Sequence, residues 1–178
     1  LNENEIRKII NTYKPIQIYY FAGQSSITKS IKLPRSTMNS NYLGAKKFLK
    51  IIYKKKLNIK FLKANSGYIF QNKNKKISLK SKLTESNNPY IKAQIKAYKL
   101  VKQYRRLGLK CYSIIFFNIE SLLRPKEYFV KKICIAVKRK KKIDVGNIQN
   151  IRDYSWAPEI VNGVSHLNKI KPCDIILA

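Results

Sequence analysis

NPYIKAQIKAYKLVKQYRRLGLKCYSIIFF, residues 88–117, is the stretch whose reading decides the fold. Pro89 suits the first position of a helix, where its fixed φ helps and its missing N–H is not needed. The pattern predicts a helix over 89–106, closed by Gly108, because glycine readily takes the conformation that ends a helix. Residues 110–117, KCYSIIFF, are almost continuously apolar and predict a buried strand. A helix leading into such a strand is the repeating unit of a parallel sheet.

The same alternation extends outward in both directions. Upstream, residues 3–13 place Ile6, Ile9, Ile10 and Tyr13 on one helical face before Pro15. Residues 16–22 (IQIYYFA) predict a strand ending at Gly23, and residues 36–56 one long helix built on Tyr42, Leu43, Phe48, Leu49 and Ile52. Residues 58–64 read as a strand and the lysine-rich 71–86 as a loop. Downstream, 127–138 reads as a helix, 143–145 as a short strand, 157–167 as a helix and 174–177 (DIIL) as a final strand. Strands and helices in this order predict an α/β fold with a parallel sheet. No internal repeat and no linker divides the chain, so residues 1–178 are read as one domain.

Bulk properties bound the function. With 178 residues and 44% hydrophobic content, the chain can bury one real core. No apolar run reaches the length of a membrane span, and the polar first residues carry no export signal. Opening on Leu1 rather than methionine is read as a fragment or a processed product. Cys111, Cys134 and Cys173 are well separated, form no CxxC pair and predict structural thiols of a cytoplasmic protein, with no metal site. The net charge of +29 is the loudest number. Its lysines are scattered through every segment, with only 73–76 (KNKK) and 138–142 (KRKKK) dense, and no zinc-finger or RNA-recognition signature accompanies them. The expectation is non-specific attraction to nucleic acid at low salt, not dedicated recognition.

In an open parallel sheet, ligands lie beyond the carboxyl ends of the strands. Residues 22–26, 64–68 and 117–121 are those ends, and each carries small polar groups after an apolar run. Together with the helix at Pro89 they resemble the GDP-mannose 4,6-dehydratase family of the short-chain dehydrogenase/reductase superfamily. IYYFAGQSS (18–26) resembles a strand that ends in a Gln-Ser turn against a cofactor, and FLKANSGYIF (61–70) the segment with a Ser-Thr-Ser-Glu turn. NPYIKAQIKAY (88–98) is similar to the SPYxxxKxxAY catalytic helix, and FNIESLLR (117–124) to FNHESPxR. Lys131 and Lys132 match a following basic pair, GNIQNIRD (146–153) resembles GNLxxxRD, and KPCDIILA (171–178) completes the series. The likeness covers essentially the whole chain, and it rests on the order of the motifs more than on any one.

The resemblance implies a Rossmann-type sheet of which this chain holds the later strands and part of the substrate-binding region. The N-terminal Gly-rich βαβ segment and the C-terminal region are expected to lie outside it. It also implies a chemistry: a bound NADP oxidises the C4 hydroxyl of GDP-mannose, water leaves C6, and hydride returns to give GDP-4-keto-6-deoxymannose. Tyr90 matches the catalytic tyrosine and Ser66 the hydroxyl that shares its proton. Two positions depart from the pattern. Gln94 stands where a lysine lowers the tyrosine's pKa and holds the nicotinamide ribose, and Tyr68 stands where a glutamate serves the dehydration. Lys92 and Lys96, two and six residues after Tyr90, point to other helix faces.

By the same resemblance Phe21, Ala22, Gly23, Gln24, Ser25, Ser36, Gln94, Ile119 and Arg124 contact NADP, with Ser36 and Ile119 replacing a tyrosine and a histidine. Asn118, Lys132 and Arg152 match positions that contact the nucleotide sugar. His166, the single histidine, and Trp156 belong to no motif and read as structural. The expected function is that of a degenerate nucleotide-sugar dehydratase with little activity alone. The alternatives are one half of a split epimerase or reductase, and a basic nucleic-acid-binding protein. With the first three strands of the family's sheet outside the chain, residues 16–22 are expected to form a long apolar edge. Such an edge calls for a complementary N-terminal piece or self-association.

Overall fold

The computed structural model describes residues 2–71, 76–147 and 149–178, so most of the KNKK run and Ile148 lie outside the described residues. Two compact units form, one from Leu1–Phe116 with Ile170–Leu177, the other from Phe117–Lys169 with Ala178.

The first unit is a parallel sheet covered by helices. Its strands are β1 (Gln17–Tyr20), β2 (Lys60–Ser66), β3 (Cys111–Phe116) and, last in the chain, β6 (Asp174–Leu177). They lie in the order β1-β2-β3-β6 and all neighbours are parallel. Its helices are α1 (Glu3–Tyr13), α2 (Ile27–Lys32), α3 (Pro34–Met38), α4 (Gly44–Lys54) and α5 (Pro89–Arg106). The helix expected from Asn-Pro and Gly108 is present as read, with Asn88 as its cap and Gly108 at φ +91. In the second unit β4 (Asn118–Glu120) and β5 (Tyr154–Trp156) make a parallel pair, joined by α6 (Phe129–Lys138) and α7 (Ala157–His166). No helix among the described residues is long and apolar enough to cross a membrane.

Register explains the packing of the first unit. Phe61 pairs with Cys111, Lys63 with Ser113 and Asn65 with Ile115, so these residues share one face of the sheet. Around Phe61 and Cys111, α1 (Ile6, Ile10), α4 (Leu49, Ile52) and α5 (Leu100, Val101) complete an apolar cluster. A second cluster joins Ile115 to Ile69, Phe70 and Tyr98. At the far edge Asp174 ties β6 to α5, receiving the Tyr98 hydroxyl at 2.9 Å and pairing with Arg105. Burial first, then that carboxylate, push the Tyr98 hydroxyl up to about 12.

Several expectations need correction. The long helix of 36–56 is three segments, because a π-helical turn, Asn39–Leu43, separates α3 from α4. The apolar repeat continues through that turn, which hides it from periodicity. The short strand expected at 143–145 does not form, and β4 and β5 take its place as strands. At three residues each they are too short to show an alternating pattern. Helix α2 was not foreseen. β1 is an edge strand as expected, but a short one of four residues, followed by the exposed ring of Phe21.

The π turn is held in place by Tyr20, whose hydroxyl donates to Ser40 O at 2.7 Å. Gly44 makes room for it: a Cβ there would run into Tyr20 Oη and approach Asn39 O. Gly44→Ala is therefore expected to lower stability by about 1–3 kcal/mol, as overpacked sites do. Tyr20→Phe, by removing the obstructing oxygen, should recover much of that loss in the same background. Urea denaturation of the four chains checks this, and equal losses with and without the hydroxyl would place the strain elsewhere.

Candidate functional site

Helix α5 places the first candidates. Asn88 Oδ1 accepts from the Tyr90 and Ile91 amides at 3.0 and 3.3 Å, satisfying the free end of the helix. Ser30 Oγ, 3.2 Å from Asn88 Oδ1, ties that cap to α2. Tyr90 and Gln94, one turn apart, then lie on the buried face with Ala93, Ala97 and Val101. Lys92 and Lys96 are exposed, so neither takes the place of a lysine at position 94.

Gln94 is 5% exposed and committed: its Nε2 donates to Asn41 Oδ1 at 2.9 Å. Asn41, on the π turn, donates in turn to Gln24 O at 3.0 Å and Thr37 O at 3.1 Å. It also lies against Gly23, where a Cβ would collide with its side chain. One asparagine thus joins the loop after β1 to the catalytic-type helix. Ser40 and Thr37 complete the seat, since the Gln24 amide donates to Ser40 Oγ at 3.3 Å and Gln24 Nε2 to Thr37 Oγ1 at 3.2 Å. Sequence reading missed Asn41, and its one signal is a polar residue within an apolar helical stripe. Of the other residues expected here, Phe21 stacks on Tyr19 and Phe116, while Ala22, Ser25 and Ser36 are exposed.

At the end of β2, Ser66 is 8% exposed and caps the short 3-10 turn Gly67–Ile69, accepting from the Tyr68 amide at 3.3 Å. Tyr68 is 41% exposed, a phenol turned toward solvent. These geometries bring Gly23, Gln24 and Gln94 into one bonded group. Ser66 and Tyr68 sit together at the adjacent strand end.

The second unit holds the remaining candidates. Asn118 donates through Nδ2 to Asp153 O at 2.8 Å, and Ile119 pairs with Ser155 across β4 and β5. Arg124 stacks 3.7 Å over the Tyr128 ring and lies 3.7 Å from Glu120 Oε2, and its buried Nε has no hydrogen-bond partner among the described residues. Lys132 Nζ donates to Asp144 O, and Arg152 is exposed. His166 Nδ1 lies 2.8 Å from Asn162 O on its own helix, in keeping with a structural role. Among the described residues no cluster of His, Cys, Asp and Glu could hold a metal ion.

A group that sequence reading overlooked lies within the sheet of the first unit. Lys63, in the middle of β2, is 1% exposed; its Nζ donates to Ala64 O and sits 5.6 Å from the Tyr20 ring centroid. Among the described residues it has no carboxylate partner. On the same face Asn65 Nδ2 donates to Ser113 Oγ at 2.6 Å. Asn65 Oδ1 and Gln94 Oε1 are buried acceptors with no partner among the described residues. The only signal in the sequence was a lysine inside an apolar strand.

The family model for GDP-mannose 4,6 dehydratase matches residues 1–178. GDP-mannose 4,6 dehydratase 2 of Caenorhabditis elegans is 29% identical over 183 residues, covering 96% of this chain and 47% of that protein. GDP-mannose 4,6-dehydratase of Sinorhizobium fredii is 26% identical, covering 99% and 53%. The chain thus spans about half the length of the curated relatives it matches. Among solved structures, the UDP-glucose 4-epimerase of Thermotoga maritima with UDP-glucose superposes with a TM-score of 0.85 at 17% identity, over 99% of this chain and 59% of that one. The dTDP-glucose 4,6-dehydratase of Bacillus anthracis in complex with NAD gives 0.83 at 16%, over 99% and 55%. These two show a shared Rossmann-type fold.

Burial pushes the Lys63 amine down from 10.5 to about 7. Between those values the unfolded chain binds more protons than the folded one, so stability rises with pH across the window. The raised Cys111 thiol acts in the opposite sense only as pH passes its ordinary value of 9.0. The urea midpoint is therefore expected to climb from about pH 7 to about pH 8.5, and Lys63→Met should flatten that climb. A midpoint that falls or stays level in the unaltered chain would contradict a buried, unpaired amine.

Proposed function

This chain belongs to the GDP-mannose 4,6-dehydratase family, and on that premise we propose that it is a degenerate member, keeping the nucleotide-sugar dehydratase scaffold with little turnover. The observation that carries this reading is the Gln94 side chain, buried one turn from Tyr90 with its amide nitrogen given to Asn41. A neutral amide supplies no charge to make a nearby phenol acidic. Tyr68 puts an exposed phenol where the resemblance implies a carboxylate for the dehydration step.

The described residues fit one end of NADP. Gln94 Oε1 is a buried acceptor without a described partner, suited to a ribose hydroxyl, and the backbone of 21–25 forms a seat beside it. When bound, that cofactor supplies hydride acceptance and return at the sugar. Tyr90 would hold the C4 hydroxyl, Ser66 would share its proton, and Asn118, Lys132 and Arg152 would meet the GDP portion of GDP-mannose. A split epimerase or reductase is the second reading.

Conversion of GDP-mannose in the presence of NADP tests the proposal. Loss of one acid–base group commonly lowers rate by about 10²–10⁴, so the chain should run at least about a hundredfold below its active relatives. Turnover at their rate would overturn the reading, as would clear calorimetric binding of NADP or GDP-mannose at the affinity of an active enzyme. In a chain of the relatives' full length, Gln94→Lys with Tyr68→Glu should raise turnover. Persistent inactivity there would refute the assignment of these two positions.

A further inference from the structure

Helices α4 and α5 lie side by side, with the Tyr53 ring of one meeting Tyr104 of the other edge to face, centroids 5.8 Å apart. Farther along the seam the Lys96 amine sits 5.9 Å from the ring of Tyr42, on the π turn that leads into α4. These two contacts fix which sides of the helices meet and which side chains border the seam. Lys46 follows Tyr42 by four residues and precedes Tyr53 by seven, so it shares their side of α4. On α5, Lys92, Lys96 and Lys99 recur at helical spacing and are exposed, as is Lys46. The Tyr53 ring, held at its edge by Tyr104, remains 45% exposed.

The charge along this seam is uncompensated. No aspartate or glutamate occurs between Glu5 and Glu85 or between Glu85 and Glu120, so neither helix carries an acid. The carboxylates that reach the two helices from elsewhere are engaged away from the seam residues, Glu3 by Lys50 and Asp174 by Arg105 and Lys102. Lys46, Lys92, Lys96 and Lys99 make no ion pair among the described residues. Like charges one helical turn apart repel, a cost that an anionic partner removes.

Charge and shape choose among the occupants of such a face. A second copy related by a two-fold axis would set the same amines against themselves. A lipid layer takes up aliphatic side chains, whereas the seam offers amines and phenol rings. A nucleic-acid strand fits both features, since its phosphates meet the amines and an unpaired base has a π-face for an exposed ring. A duplex keeps its base faces stacked inside. We propose that the α4–α5 seam is a docking surface for single-stranded nucleic acid, held through phosphates by Lys46, Lys92, Lys96 and Lys99 and through a base by Tyr53. The proposal goes beyond the dehydratase reading and does not rest on it, because none of these five residues belongs to the seat around Gln94. A net charge of +29 draws polyanions toward the whole molecule, and the seam is where a strand settles.

Fluorescence anisotropy of a labelled oligothymidine against the full chain tests this. Lys46, Lys92, Lys96 and Lys99 are changed together to Gln, and a control of equal charge loss changes Lys138, Lys140, Lys141 and Lys142 to Gln. Loss of four phosphate contacts should lower the salt slope by about 3 and weaken binding at least about tenfold at about 0.1 M salt. The control should keep most of its affinity. Tyr53→Leu should weaken oligothymidine binding about fivefold or more while leaving duplex binding unchanged. Equal losses in the seam variant and the control would show that charge number alone matters and would overturn the proposal. So would tighter binding to vesicles of anionic lipid than to the strand, or no binding of the strand by the unaltered chain. Ultraviolet cross-linking of a thiothymidine-containing strand to the unaltered chain needs no substitution and decides the matter even where a variant misfolds. Cross-links on α4 and α5 are expected, and their confinement to residues 117–169 would sink the idea.

Discussion

The side-chain amide of Asn41 is the interaction on which the candidate site depends. Its nitrogen donates to two backbone carbonyls, Gln24 O and Thr37 O, and its oxygen accepts from Gln94 Nε2. Three elements that are far apart in the chain are thereby held at fixed distance: the loop after β1, the π turn and the face of α5. Buried amides are costly when unpaired, so each of these bonds constrains the others. Gly23 belongs to the same constraint, because a side chain there would occupy the space Asn41 needs. The π turn itself follows: its extra residue brings Asn41 to the sheet side, where a regular helix would rotate it away.

Around that seat the sheet alternates between apolar and polar levels. Phe61 and Cys111 form the lower apolar level and Ile69, Phe70, Tyr98 and Ile115 the upper one. Lys63 and Ser113 lie between them, and Asn65, level with Ile115, donates to Ser113. Two apolar clusters give the stability, and the polar level is where the chain carries unresolved demands for hydrogen bonds and charge. Such levels are found where a ligand or a reaction has shaped a core, since packing alone favours apolar residues there. In this unit the helix buries the neutral amide of Gln94, while strand β2 buries the amine of Lys63.

The surface is governed by different physics. A net charge of +29 leaves nine acidic residues, of which three make the ion pairs among the described residues: Glu3 with Lys50 and Arg7, Asp174 with Arg105 and Lys102, Glu120 with Arg124. The more exposed pairs of Glu3 contribute little, whereas Asp174 and Glu120 are largely shielded and tie elements together. The charge is therefore informative about non-specific attraction to polyanions and uninformative about the site.

Helix α5, its cap, its closing glycine and the strand β3 that follows were legible in the sequence, because Asn-Pro, Gly108 and a continuous apolar run are local signals. The helix α1 and the terminal strand β6 were legible for the same reason, and the order of motifs placed Ser66, Tyr90 and Gln94 at strand and helix ends before any coordinates. Tertiary structure alone decided the rest. The π turn hid because it preserves the apolar repeat, and the three-residue strands β4 and β5 because no alternation fits in so short a span. Asn41 and Lys63 looked like ordinary polar residues, for polarity in sequence ordinarily means exposure. Which polar side chains are buried, and which groups they then must satisfy, depends on contacts between residues 41 and 94 or 20 and 63, and no local pattern encodes those.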